Sequence, residues 1–410
     1  MKKLLICLII STLSCSIGFS QINPDSLIER HIRPSDTDPS IWLWNADSNY
    51  VYINHTATTL NKLFVFLPGS YGVPEADKAI NQKAANMGYH SIGLRYPNSW
   101  SMLGQCGSST DTNCYYNLRM EVFYGVDAYT GISVDTINCI KNRLIKLLIY
   151  LDANYPAENW GQYLDINYEP VWNKIAMGGH SQGGGYGSLV ALNDQLFRIL
   201  NFASNDYSSY YNKPADWYYF PKVTTSDKYY GMVHIHDGPN EYLEMMNALG
   251  IDTTLTVNVD TSLIPYNNAH ILFTDEMPAS GTGWIDYHNS MAVDNSIPID
   301  TAGNYLFEAV WQYMLCVDSL STGINYFQSD KENGMAVQVY PNPSDGKFTI
   351  EMEKKENEVI EVYNVLGKVV FRSEIINQEY KINLNVPCGL YFYQVKNQQQ
   401  LIGNGKLIIQ

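Results

Sequence analysis

The chain has 410 residues, 45% of them hydrophobic and 16% charged, with a formal net charge of -15. That length and apolar share allow one large core domain and a smaller appendage. The acidity excludes nucleic acid and an anionic membrane surface as partners, because both demand clustered Lys and Arg.

Residues 1–20 have the pattern of a secretory signal peptide: Lys2 and Lys3, the apolar run Leu4 to Ile10, then small residues at Gly18 and Ser20. A lipoprotein reading of Cys15 is disfavoured, because Thr12 stands where a large aliphatic residue is usual. No later segment approaches ~18 uninterrupted apolar residues, so a soluble mature chain with no transmembrane segment is expected. Of the seven cysteines, Cys7 and Cys15 would leave with the signal. Cys106 and Cys114 bracket a polar loop and are expected to form a disulfide in an oxidising compartment. Cys139, Cys316 and Cys388 lack metal-ligand spacing and read as small hydrophobes or an occasional pair.

Along the chain, Ile41 to Trp44 and Tyr50 to Ile53 flank a polar turn and suggest a hairpin. Leu63 to Leu67 reads as a strand buried on both faces, followed by a Pro-Gly turn and a helix over Glu75 to Met87. A strand at Ser91 to Leu94 and an amphipathic helix over Asp135 to Leu151 come next. The strand-like stretch Lys174 to Met177 leads into Gly179-His180-Ser181-Gln182-Gly183, a G-x-S-x-G motif before a helix-compatible segment. Further strands are expected at Arg198 to Phe202, Gly231 to Ile235 and His270 to Phe273, with a last helix over Tyr305 to Met314. Repeated strand-helix units imply a mostly parallel sheet flanked by helices. Residues 320–335 lack apolar periodicity and read as a linker between a unit at 26–319 and one at 336–410. The second unit alternates short strands and turns, as a small all-β sandwich does.

A serine hydroxyl is a poor nucleophile until it projects from a sharp strand-to-helix turn toward a base. Ser181 occupies such an elbow. A hydrolase then needs a histidine base, an acid to orient it and donors for the oxyanion, with the acid and histidine following the serine in that order. Asp237, at the end of the Gly231 strand and before Gly238-Pro239, and His288, beyond the last strand, fit the order. Asp206, after the strand that follows the elbow, is the alternative acid. The Gln182 N–H and one from the loop after Leu67, at Ser70 or the adjacent Gly69, would form the oxyanion hole. His234 and His236 share a strand face, but no third ligand has suitable spacing, so no metal and no other cofactor is expected. Asp252, Asp260 and Asp275 lack calcium-loop spacing.

On the elbow, Leu63 to Gly69, Tyr230 to Asp237 and Tyr287 to Val293, residues 26–319 resemble the α/β-hydrolase superfamily, with GHSQGGG suggesting a secreted bacterial branch. That resemblance implies acyl transfer through a Ser181 acyl-enzyme, with His288 as base and then acid. From Val337 the chain is similar to the C-terminal sorting domain of type IX secretion in Bacteroidota, through Val339-Tyr340-Pro341-Asn342-Pro343, Val362 to Lys368 and Pro387 to Tyr391, departing at Cys388 where a small residue is usual. This implies the type IX machinery as a partner and a secreted or cell-surface location. The leading expectation is thus a secreted carboxylic-ester hydrolase. A peptidase or amidase with the same triad, or a non-catalytic carbohydrate- or protein-binding module, are the alternatives. The last is suggested by the 32 tyrosines and the aromatic stretch Tyr207 to Phe220, which reads equally as a lid or a surface loop.

Overall fold

Leu63-Phe64-Val65-Phe66-Leu67 forms a strand in which every residue is buried, because the sheet around it is covered on both faces. The computed structural model describes residues 26–204, 206–316 and 337–409, the last stretch without 343, 345, 353–357, 365–367, 388, 398 and 399. The expected signal peptide, the linker at 320–335 and Cys388 lie outside the described residues. The chain divides into two compact units, Met1–Leu315 and Cys316–Gln410.

In chain order the first unit contains β1 (Leu27–Ile32), α1 (Pro34–Thr37), β2 (Asn49–Asn54), β3 (Leu63–Leu67), α2 (Lys78–Asn86), β4 (His90–Gly93), α3 (Met102–Cys106), α4 (Cys114–Tyr124) and α5 (Ile140–Asn154). It continues with β5 (Ile175–His180), α6 (Gly185–Val190), β6 (Arg198–Phe202), β7 (Tyr207–Ser208), β8 (Lys213–Pro214), β9 (Tyr229–His234), α7 (Pro239–Ala248), β10 (Thr256–Asn258), β11 (Ile271–Thr274), α8 (Trp284–Asn289) and α9 (Glu308–Leu315). Nine strands make one mixed sheet in the order β1-β2-β4-β3-β5-β6-β9-β11-β10. The β1-β2 and β2-β4 pairs are antiparallel; the pairs from β4 to β10 are parallel.

Side-chain alternation along the strands separates two cores. Leu63, Val65 and Leu67 join Met177, Ile199 and Val233 beneath α4, α5, α6 and α7. Phe64 and Phe66 join Ala176, Leu200 and Met232 beneath α2 and α9. Helices therefore flank the sheet on both sides, and the carboxyl ends of its parallel strands emerge at one edge.

Several expectations shift, among them the last helix, which begins at Glu308 rather than Tyr305. The partner of β2 is β1 rather than Ile41 to Trp44; Trp44 adopts φ 45°, which a strand does not allow. The helix expected from Asp135 starts at Ile140, because the Asp135 carboxylate accepts the N–H groups of Ile137 and Asn138 and closes a local turn. The helix expected from Glu75 opens as a 3₁₀ turn over Pro74–Asp77 before α2.

The second unit is all β: β12 (Gln338–Tyr340), β13 (Lys347–Glu351), β14 (Glu358–Asn364), β15 (Val369–Glu374), β16 (Glu379–Asn383), β17 (Gly389–Asn397) and β18 (Gln400–Ile409). They form a sheet β12-β13-β16 and a sheet β15-β14-β17-β18. Phe348, Ile350, Ile360, Val362, Val395 and Leu407 share one core.

Candidate active site

Ser181 directly follows β5, and its φ is 52°, left-handed backbone that a non-glycine residue adopts at a cost. A tight 3₁₀ turn over Ser181–Gly184 then runs into α6. The turn is possible because a Cβ at Gly183 would overlap the Leu67 carbonyl, so only glycine lets the elbow approach the end of β3. Ser181 itself stays partly exposed, at the floor of a cleft of about 430 Å³ that Ser70, Gln182, Asp237 and His288 also line.

Asp237, expected at the end of the Gly231 strand, sits three residues beyond β9, which ends at His234. Its N–H donates to the His234 carbonyl in a tight turn, at 3.0 Å. His288 is carried by α8. Nδ1 of His288 lies 2.7 Å from Oδ2 of Asp237, with side chains only 12% and 7% exposed. Trp284, one turn earlier on α8, stacks on the His288 ring at 5.2 Å between centroids.

Asp206 lies elsewhere. It is fully buried and clasped by Arg119 through Nε and Nη2 at 2.5 and 2.6 Å, and it accepts from Trp217 Nε1 at 3.1 Å. Its carboxylate faces Arg119, whereas that of Asp237 faces His288.

The loop after β3 brings Gly69 against the elbow, where a Cβ would stand 2.9 Å from His180 Nδ1 and 3.2 Å from Ser181 Cβ. Ser70 Oγ donates to Gln182 Oε1 at 2.9 Å, so the two residues expected to offer oxyanion donors are linked. Asn98, which the sequence reading passed over, shapes this loop from behind. Its Nδ2 donates to the carbonyls of Gly69 and Gly72 at 2.7 and 2.9 Å. Its carbonyl accepts the Tyr71 N–H. Pro97 and Asn98, two turn-favouring residues a few positions beyond β4, were the available signal. Arg119 was also missed; its segment has no apolar period to single out one side chain.

His180 is buried, and its Nε2 donates to the His288 carbonyl at 2.9 Å. Burial, with His288 close by, pushes its pKa down to about 3, so the ring is neutral. His234 is likewise fixed: its Nδ1 accepts the His236 N–H and its Nε2 donates to the Glu276 carbonyl, both at 3.0 Å. Both ring nitrogens are thereby engaged, and among the described residues no group of three His, Cys, Asp or Glu side chains is placed to hold a metal ion.

Cys106 and Cys114 are joined in a disulfide that links α3 to α4. The aromatic stretch packs on the loop it closes: Ser209 N–H and Tyr211 Oη donate to the Gly107 and Thr110 carbonyls at 2.8 Å. Trp217 and Tyr218 are buried, whereas Tyr210 and Tyr219 are exposed. Tyr207 and Ser209 form one wall of the cleft.

Comparison with known proteins assigns the second unit. Residues 338–410 match the family described as the secretion system C-terminal sorting domain. They are such a sorting domain. The sorting domain marks the protein as one that the type IX machinery delivers outside the cell or to its surface. Among the described residues no helix is long and apolar enough to cross a membrane. A curated relative, an endo-acting ulvan lyase of Formosa agariphila, is 25% identical over 148 residues, which span 36% of this chain and only 27% of that protein. Two solved structures show weaker likeness. PorZ, a surface component of the type-IX secretion system of Porphyromonas gingivalis, aligns with 18% of this chain and 11% of its own at 20% identity and TM-score 0.17. A bacterial heroin esterase aligns with 62% of this chain and 77% of its own at 12% identity and TM-score 0.28.

Proposed function

We propose that the first unit is a serine hydrolase that cleaves a carboxylic ester, with Ser181 as nucleophile, His288 as base and Asp237 as the acid that orients it. The observation that carries this reading is the 2.7 Å contact of His288 Nδ1 with Asp237, at a cleft whose floor is a left-handed Ser181. In this mechanism Asp237 holds the His288 tautomer that leaves Nε2 free to take the Ser181 proton as Oγ attacks the ester carbonyl. The carbonyl electron pair moves onto oxygen, toward the Gln182 and Ser70 N–H groups. Collapse expels the alcohol, which takes the proton from His288, and water releases the acid by the same steps.

The partial relative is named for cleaving ulvan. Among the described residues lining the cleft none is Lys or Arg, which counts against an anionic substrate there. The ester reading is preferred to a lyase or a carbohydrate-binding one because His288 is paired with Asp237 at the cleft that Ser181 lines. It is tested by labelling the purified protein with a fluorophosphonate and mapping the adduct by mass spectrometry. The expected result is an adduct on Ser181 that His288→Ala abolishes, with ester turnover lost in Ser181→Ala. A folded protein that takes no label and turns over no ester or amide overturns it; preferential amide turnover would make it a peptidase or amidase.

A further inference from the structure

Arg119 and Asp206 form a wholly buried charge pair in the first unit, which stability by itself gives little reason to keep. Both side chains are wholly inaccessible. Taking two charges out of water costs several kcal/mol per ion, and apolar residues of similar volume often serve stability as well or better. The pair is also elaborately housed. The guanidinium carbon lies 4.8 Å from the Tyr186 ring centroid and 5.6 Å from that of Trp217. Gly185 leaves it room, since a Cβ there would overlap the guanidinium. Burial works against the Arg119 charge, and the Asp206 carboxylate more than reverses that effect.

Two of the three bonding nitrogens are spent on Asp206. The third, Nη1, donates to the main-chain carbonyl of Gln182 at 3.0 Å. Gln182 is thus held at both faces: by Arg119 at its carbonyl, and by Ser70 Oγ at its side chain. A planar peptide whose oxygen is fixed cannot rock, and it restrains the Cα through which the N–H at the residue's other end is aimed.

We propose that Arg119, locked in place by Asp206, is a positioning residue that aims the Gln182 N–H at the oxyanion. This rests on the serine-hydrolase reading above. Asp206 then serves the reaction at one remove, by fixing the fork that fixes the elbow, and Arg119 rather than Lys is required because a single ammonium cannot span both partners. α4, which carries Arg119, begins at Cys114 of the disulfide, so the clamp is mounted on a stapled helix.

The test compares wild type with Arg119→Lys and Asp206→Asn. Thermal melting establishes folding, fluorophosphonate taken to completion counts active sites, and kcat, KM and the labelling rate are expressed per titrated site. Removing an oxyanion donor outright costs about 10²–10³ in kcat. A misaimed one should cost about tenfold or more, in kcat and in labelling rate alike, with KM within about twofold. Variants that melt earlier yet keep the wild-type kcat per site overturn the proposal, since a merely structural pair predicts that result. If the single variants do not fold, Arg119→Met with Asp206→Leu replaces the whole pair by apolar groups. A folded double variant with lowered kcat supports the proposal, and one with full kcat overturns it. A wild type that neither labels nor turns over ester removes the hydrolase reading itself, and this inference with it.

Discussion

Nε2 of His180 lies 2.9 Å from the main-chain carbonyl oxygen of His288, with the two rings 4.7 Å apart. The residue before the proposed nucleophile therefore holds the backbone of the proposed base, so elbow and α8 keep their spacing through one hydrogen bond. His180→Phe removes that bond while filling the space. We expect kcat to fall by about tenfold with a smaller change in KM, because a misplaced base affects the transition state more than binding. Steady-state kinetics of the folded variant decide it; an unchanged kcat would mean that the bond only packs.

The same residue makes stability depend on pH. Its folded pKa, about 3, lies below the ordinary histidine value, so the unfolded chain takes up a proton that the folded one refuses. The contribution is neutral above about pH 6.5 and grows destabilising as pH falls toward 3. Denaturant titrations of wild type and His180→Phe should diverge across that window, with wild type losing more.

Asp294 acts with the opposite sign. Its carboxylate caps α2 by accepting the Lys78 and Ala79 N–H groups at 3.0 and 3.1 Å, and burial raises its pKa to about 6. The neighbouring Asp77 is raised well above the ordinary value, first by burial and then by the Asp294 charge. A raised carboxyl contributes stability that is complete below its unfolded pKa and lost as pH climbs through 6. Relative to Asp294→Asn at each pH, wild type should gain stability as the pH drops from about 7 to about 4. A difference that stays flat with pH would show that Asp294 remains ionised throughout.

If Asp237 orients His288, then Asp237→Asn should lower kcat by about 10³–10⁴ while leaving the melting temperature nearly unchanged, because Asn permits the wrong tautomer without vacating the space. Retained activity would send the search for the acid elsewhere.

Besides Asp237, the charged group among the described residues lining the cleft is Glu241, in the first turn of α7. Esters with an anionic leaving group should therefore react about three- to tenfold more slowly than neutral esters of matched size at low salt. Glu241→Gln should narrow the gap. Equal rates in wild type would mean that the cleft charge does not reach the substrate.

How much of this was legible in the sequence follows from how local each signal is. The Ser181 elbow, the buried β3, the Cys106–Cys114 pair and the sorting motifs are written in contiguous residues, because turn sterics, strand patterning and short loop closure act over a few positions. The approach of Asp237 to His288 was legible only as chain order; 51 residues separate them, and the sheet brings them to 2.7 Å. What tertiary structure alone decided is which acid faces which partner. Asp206 and Asp237 each follow a strand and look equivalent in one dimension, yet Asp206 turns inward to Arg119, 87 residues away, and Asp237 meets His288. A buried carboxylate must find a cation or a donor, and which one it finds depends on side chains that packing, not sequence proximity, puts within reach.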